Sequence, residues 1–224
     1  MNRYFLLMLV IPAFFLMASL PAQARIYKNP VHSLGSGKYA AGVSHDSFTR
    51  ALTSDGLGDF DATLNATGVN FTIGMGESGG LGLHFAAASG SINGGADSSG
   101  GGGGISYRHT LEKGDLGQGF LVSHFSGYVE NTDAGVWFDL TDVMYGISKP
   151  ISPTMRLYGG GGLSLAEIEL EIFFAPYYTY AASASSVMGL FGGLELQPSE
   201  TLLLGAEVHL MHEGGFGVYV DFLF

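Results

Sequence analysis

No cysteine occurs in the 224 residues. The chain can therefore form no disulfide staple, no thiolate zinc site and no cysteine nucleophile. Positive charge is scarce too: 9 Lys and Arg stand against 20 Asp and Glu, for a net charge of −11. A nucleic-acid binder needs surplus cations to neutralise phosphates, so that class is excluded. Charged residues make up only 13% of the chain, about half the share usual in soluble domains. Disorder is disfavoured, because 46% of the residues are hydrophobic.

Long apolar runs are missing everywhere except at the N-terminus. Met1 to Ala24 reads as a secretory signal peptide: Arg3 is the positive region, Phe5–Leu20 the apolar run, and Ala22-Gln23-Ala24 the small-residue cleavage site. Beyond it, no segment offers the ~20 apolar residues that a membrane helix needs. An exported chain of this kind is either soluble or enters a membrane as a closed barrel.

Glycine is abundant, at 36 residues, and alternation with period two dominates the chain. At the C-terminus Phe216, Val218, Val220, Phe222 and Phe224 share one face of a strand, and Gly217, Tyr219, Asp221 and Leu223 the other. Val69, Phe71, Ile73 and Met75 alternate with Asn70, Thr72 and Gly74. Similar apolar rows run through Leu81–Phe85, Ile105–His109, Thr141–Ile147 and Leu202–Leu210. Charges collect opposite the apolar rows, as expected for lipid outside and a polar lumen inside. Short turns near residues 76–79, 113–115, 149–153 and 197–200 alternate with longer connections near 53–64, 90–103, 130–138 and 173–178. This predicts an all-β, antiparallel transmembrane β-barrel over 38–224 with about ten strands, eight being the alternative, preceded by a periplasmic segment at 25–37.

These features resemble the small outer-membrane β-barrel proteins of Gram-negative bacteria. The ending Val218-Tyr219-Val220-Asp221-Phe222-Leu223-Phe224 is similar to the signal read by the barrel-assembly machinery, and Val218, Val220, Phe222 and Phe224 would carry it. The resemblance implies an integral, monomeric protein of the cell outer membrane, in contact with outer-membrane lipids and lipopolysaccharide. It implies no cofactor and no nucleic acid.

Some segments depart from the pattern. Leu163 and Leu165 are odd-numbered, whereas Ile168, Leu170 and Ile172 are even-numbered, which predicts either a β-bulge between them or a strand leaving the bilayer. Glu167, Glu169 and Glu171 then share a face, read as solvated acids rather than a cation site. The run 98–104 resembles a flexible linker. Trp137, Phe138, Phe173, Phe174, Tyr177 and Tyr178 near the outer loops, with Tyr145 and Tyr158 near the inner turns, suggest interfacial girdles.

Chemistry candidates are few. His84, Arg108, Glu207, His209 and Asp221, with Arg156, suit a lumenal polar network that plugs the barrel. His124 and Ser126 lie on one strand face and resemble the His-x-Ser motif of outer-membrane lipid A deacylases, with Asp139 or Glu130 as the acid. Asp59 and Asp61 with Glu207 and His209 are similar to the layout of outer-membrane proteases. The scattered histidines do not support a metal site. The functional expectation is a non-enzymatic barrel with a structural or surface-interaction role. A narrow, porin-like channel for small solutes and a lipid A-modifying hydrolase are the alternatives.

Overall fold

In a computed structural model the chain is described over residues 28–93, 97–173, 178–184, 187–210 and 214–224. The expected signal peptide, Phe174 and Tyr177 lie outside these residues. Eleven strands account for the regular structure: β1 (Tyr39–Ser54), β2 (Gly58–Met75), β3 (Gly79–Ile92), β4 (Ser98–Glu112), β5 (Gly117–Glu130), β6 (Ala134–Ser152), β7 (Met155–Ile172), β8 (Tyr178–Ala184), β9 (Met188–Ser199), β10 (Leu202–Leu210) and β11 (Gly214–Leu223). All pairings are antiparallel. The sheet closes where β11 meets β1, from Ala40 opposite Leu223 to Thr49 opposite Gly214. Below the closing pair, Tyr39 N–H donates to the Phe224 carbonyl at 3.2 Å and Phe224 N–H to the Tyr39 carbonyl at 2.8 Å.

The barrel has ten staves and one additional strand, because β8 and β9 occupy the same place beside β7. β7 pairs with β8 from Ile172–Tyr178 to Glu167–Ser183, and with β9 from Leu163–Met188 to Met155–Leu196. The register differs by one residue between the two ladders, so the inward row is even-numbered on β8 and odd-numbered on β9. Ala182 is buried on β8, whereas Phe191 and Glu195 are buried on β9. The bulge expected within β7 is absent, and the other expectation, a strand leaving the bilayer, describes it. β7 itself pairs with β6 without interruption from Ile172 to Arg156. Its even-numbered residues, Ala166, Ile168 and Leu170, point inward throughout and are buried.

Strand length divides the barrel into two levels. A tilted membrane strand needs about 9–11 residues. β10 and β11 have 9 and 10, whereas β2, β6 and β7 have 18, 19 and 18. The long strands continue beyond the β10–β11 hairpin, and there β1 pairs with β8 instead, Leu52 opposite Ala184 and Thr53 opposite Ser183. Ten strands form the lower ring, and eight, β1 to β8, form the upper one.

The expected long outer loops are thus mostly strand, with only residues 55–57 and 131–133 left between β1 and β2 and between β5 and β6. Alternation continues upward with its sense reversed, inward side chains becoming apolar and outward ones polar. The glycine run at 98–104 is not a linker. It lies in β4, fully paired with β3 and β5. Its inward glycines leave room for Phe125: a Cβ on Gly104 would stand 2.8 Å from that ring. Two girdle assignments also fail, since Phe138 and Tyr158 point into the lumen and are buried; Trp137 and Tyr145 are exposed on the outer wall, and Tyr178 is exposed at the end of the inward face of β8.

Candidate functional site

The lower lumen is filled by polar side chains and by the segment before β1. That segment does not hang free in the periplasm, as the sequence suggested. Lys28 and Asn29 are buried inside the barrel. Lys28 Nζ donates to both carboxylate oxygens of Asp221, at 2.8 and 2.7 Å, and to Asn70 Oδ1 at 2.6 Å. It also lies 5.0 Å from the centroid of the Tyr219 ring. Asn29 Nδ2 donates to Ser148 Oγ at 3.1 Å and to Glu195 Oε1 at 3.3 Å. His32 Nδ1 stands 3.0 Å from the same Glu195 oxygen. Thr110 donates its hydroxyl to the Val31 carbonyl at 2.8 Å. The wall is shaped for this segment. A Cβ on Gly119 would stand 2.6 Å from the Pro30 carbonyl oxygen, and one on Gly146 would stand 2.8 Å from the Pro30 ring.

Around the plug, Tyr219 donates to Glu195 Oε2 at 3.2 Å, Tyr158 donates to Glu207 Oε2 at 2.9 Å, and His209 Nε2 lies 2.8 Å from Glu207 Oε1. All five residues proposed for the lumenal network face inward. Arg108, Glu207, His209 and Asp221 are buried, and His84 Nε2 lies 2.8 Å from Ser106 Oγ. Arg156 shares the inward face of β7, opposite Glu195 in register. Sequence reasoning missed Lys28, Asn29, Tyr158, Tyr219 and Glu195. Lys28 and Asn29 precede the first strand and have no periodicity, while the two tyrosines sit in strands whose facing alone could have flagged them.

Higher in the barrel the lumen is apolar. Phe48, Leu52, Phe60, Leu64, Phe125, Phe138, Ile168 and Leu170 belong to one buried cluster. Phe125 and Phe138 stack with ring centroids 6.1 Å apart. The outer wall changes character at the same height. On β2, exposed Val69 gives way to Thr67, whose hydroxyl lies 3.1 Å from His45 Nδ1. Above it, Ser47 donates to Asn65 at 2.7 Å, and the Thr49 and Thr63 hydroxyls are 3.0 Å apart. On β6 the outward row runs from Ile147, Tyr145 and Val143 to Thr141 and Asp139, and on β7 from Leu163 and Leu165 to Glu167, Glu169 and Glu171. Charged rows cannot face hydrocarbon, so the upper ring stands outside the bilayer.

The upper outer wall is acidic. Asp139 stands opposite Glu167, and a groove of about 440 Å³ there is bordered by Asp55, Trp137 and Glu169. Among the described residues no group of three His, Asp or Glu is placed to hold a metal ion. Lys38, Lys113 and Lys149 lie at the opposite, periplasmic end, and among the described residues no Lys or Arg lies on the upper outer wall.

His124 and Ser126 point outward near the boundary between the apolar and acidic walls. His124 Nδ1 lies 3.0 Å from Thr141 Oγ1 and its Nε2 3.6 Å from Asp139 Oδ1, with both side chains about half exposed. Ser126 stands opposite Asp139 in register. Among the described residues neither ring nitrogen bonds the Ser126 hydroxyl. Glu130 is exposed at the end of β5. The protease-like quartet does not assemble: Asp59 and Asp61 are exposed outward near the upper rim, while Glu207 and His209 are buried in the lower lumen.

No known family profile matches this sequence, and no curated protein matches it. Solved structures match in fold. The translocator domain of the autotransporter NalP from Neisseria meningitidis superposes with a TM-score of 0.51 at 12% identity, over 85% of this chain and 88% of that one. The outer membrane protease OmpT from Escherichia coli gives a TM-score of 0.46 at 9% identity, over 84% of this chain and 94% of that one. The COG4313 outer membrane channel from Pseudomonas putida F1 gives 0.44 at 12%, over 90% and 99%. The fold defines a closed antiparallel transmembrane β-barrel. The chain shares this fold with outer-membrane β-barrels, a likeness that supports a place in the cell outer membrane.

Proposed function

We propose that the protein is a closed, non-conducting barrel that anchors an acidic pedestal at the cell surface, with a structural or surface-interaction role. The observation that carries this reading is the double occlusion of the lumen. Lys28–His32 and the Glu195–Glu207–Asp221 network fill the lower ring, and the Phe125–Phe138 cluster fills the upper one. Both layers stand across the route that a small solute would take, which supports a closed barrel. The pedestal's carboxylates favour cationic partners or cation-bridged lipopolysaccharide. Planar-bilayer recording tests the reading: no conductance steps are expected from purified protein carrying residues 25–224. Reproducible steps would restore the narrow-channel alternative.

The outward His124–Asp139 approach favours one second reading. A base and an acid beside Ser126, at the level where lipid gives way to water, would suit attack on an ester of lipopolysaccharide. In that reaction His124 takes the Ser126 proton as the serine oxygen attacks the acyl carbonyl, then returns it to the departing alkoxide. Water hydrolyses the acyl-serine. Lipid A mass spectra from cells expressing wild type and Ser126→Ala decide it. Loss of one acyl chain only with wild type would establish hydrolysis, and identical spectra would dismiss it.

A further inference from the structure

The upper lumen is not filled to its rim. Above the Phe125–Phe138 stack lies a cavity of about 180 Å³, walled by β1 to β7 and lined by Leu52, Phe60, Leu64, Val129, Val136 and Leu170. We propose that this cavity is a binding site for a small, neutral, single-ring aromatic molecule that enters from the extracellular side.

Three observations lead to this ligand class. The lining is mostly hydrocarbon, with Ser91, Ser98 and Asn131 as its polar side chains. Cavities of comparable size lined by Leu, Ile and Phe accept benzene-sized guests. Two of the polar side chains are already engaged with each other and with the backbone: Asn131 Oδ1 accepts from the backbone N–H groups of Asp133 and Ala134 at 2.8 and 2.9 Å, and its Nδ2 donates to Ser98 Oγ at 3.1 Å. A guest therefore finds shape and dispersion rather than a hydrogen-bond pattern. Charge also selects. The surrounding surface carries Asp59, Asp61, Glu130, Glu167 and Glu169, which repel anions from the approach, while the mostly apolar interior rejects cations.

The inference is independent of whether the barrel conducts. It is tested with protein carrying residues 25–224 in lipid nanodiscs, using fluorobenzene as the probe and its fluorine NMR signal as the readout. Empty nanodiscs measure simple partitioning into lipid. The expected result is a saturable, protein-dependent shift with fluorobenzene and none with 4-fluorobenzoate at equal concentration. Ala62→Phe, which fills the cavity from β2, removes the saturable component, while Thr53→Ala on the outer wall keeps it. A boiling-dependent shift on a denaturing gel checks that each variant is folded. Should Ala62→Phe not fold, Ala134→Phe fills the same space from β6. Absence of a saturable component in wild type, or its persistence in a folded cavity-filled variant, would overturn the proposal.

Discussion

The two rings of this barrel are built on opposite rules from one continuous set of strands. In the lower ring, Val143, Tyr145 and Ile147 of β6 face outward while Asp142 and Ser148 face inward. A few residues higher on the same strand, Asp139 faces outward while Phe138 and Val136 face inward. Only the surroundings differ. Lipid demands an apolar exterior and lets the interior be polar. Water demands a polar exterior, and the wall then needs an apolar core to hold it. Strand number follows the same division. The lower ring accommodates an incoming segment of chain with ten staves, whereas the upper ring has eight and packs its own side chains.

The largest expected effect tests the upper core. Phe138→Ala removes a buried ring and should cost about 3–5 kcal/mol, seen as a lower urea midpoint for unfolding from lipid bilayers. Trp137→Ala, one residue away on the outer face, should cost far less. Equal losses would contradict the facing of the upper ring.

The matching test of the lower ring is Lys28→Met. It leaves Asp221 buried without its cation and should cost about 3–5 kcal/mol. Lys28→Met combined with Asp221→Leu should regain most of that stability, as an apolar pair replaces an ionic one. A double variant no more stable than the single would show that Lys28 is not held by Asp221.

A third test places the boundary between the rings. Val143→Arg puts a charge against hydrocarbon in the upper part of the apolar band, at a cost below the about 2–4 kcal/mol of the bilayer midplane, and should lower the folded fraction on a heat-modifiability gel. Asp139→Arg, two positions further along the same face, should fold normally. The smallest effect is expected from Glu167→Gln. It relieves the like-charge pair with Asp139 and should raise stability by about 0.5 kcal/mol at low salt, an increment that salt should erase.

Much of the lower ring could be read from the sequence, because alternation reports facing directly. The rows Val69–Met75 and Phe216–Phe224 suffice to assign lipid and lumen there. The upper ring was harder to read. Its alternation has the same period with the sense of inside and outside reversed, so long strands looked like acidic or glycine-rich loops. The glycines of β4 carry no alternation of their own. Their meaning depends on Phe125, a strand away. The parity conflict between Leu165 and Ile168 was visible, but it marks a change of surroundings rather than of facing: Leu163 and Leu165 face outward where the outer wall is apolar, and Ile168 and Leu170 face inward where the core is. Residues 28–32 have no repeating pattern. Their role depends on Gly119, Gly146 and Asp221, far away in sequence, and becomes visible only when the cylinder is formed. His124 and Ser126 share a face as expected, but nothing in the pattern indicated that they look outward.

The seam joins the first stave to the last, with Tyr39 and Phe224 as its lowest rung. The growing sheet therefore keeps one bare ladder edge until β11 reaches β1. The stretch that fills the bore is tethered to the opening stave, and Lys28 grips Asp221 on the closing one, so the cork also clasps the two sides of the seam.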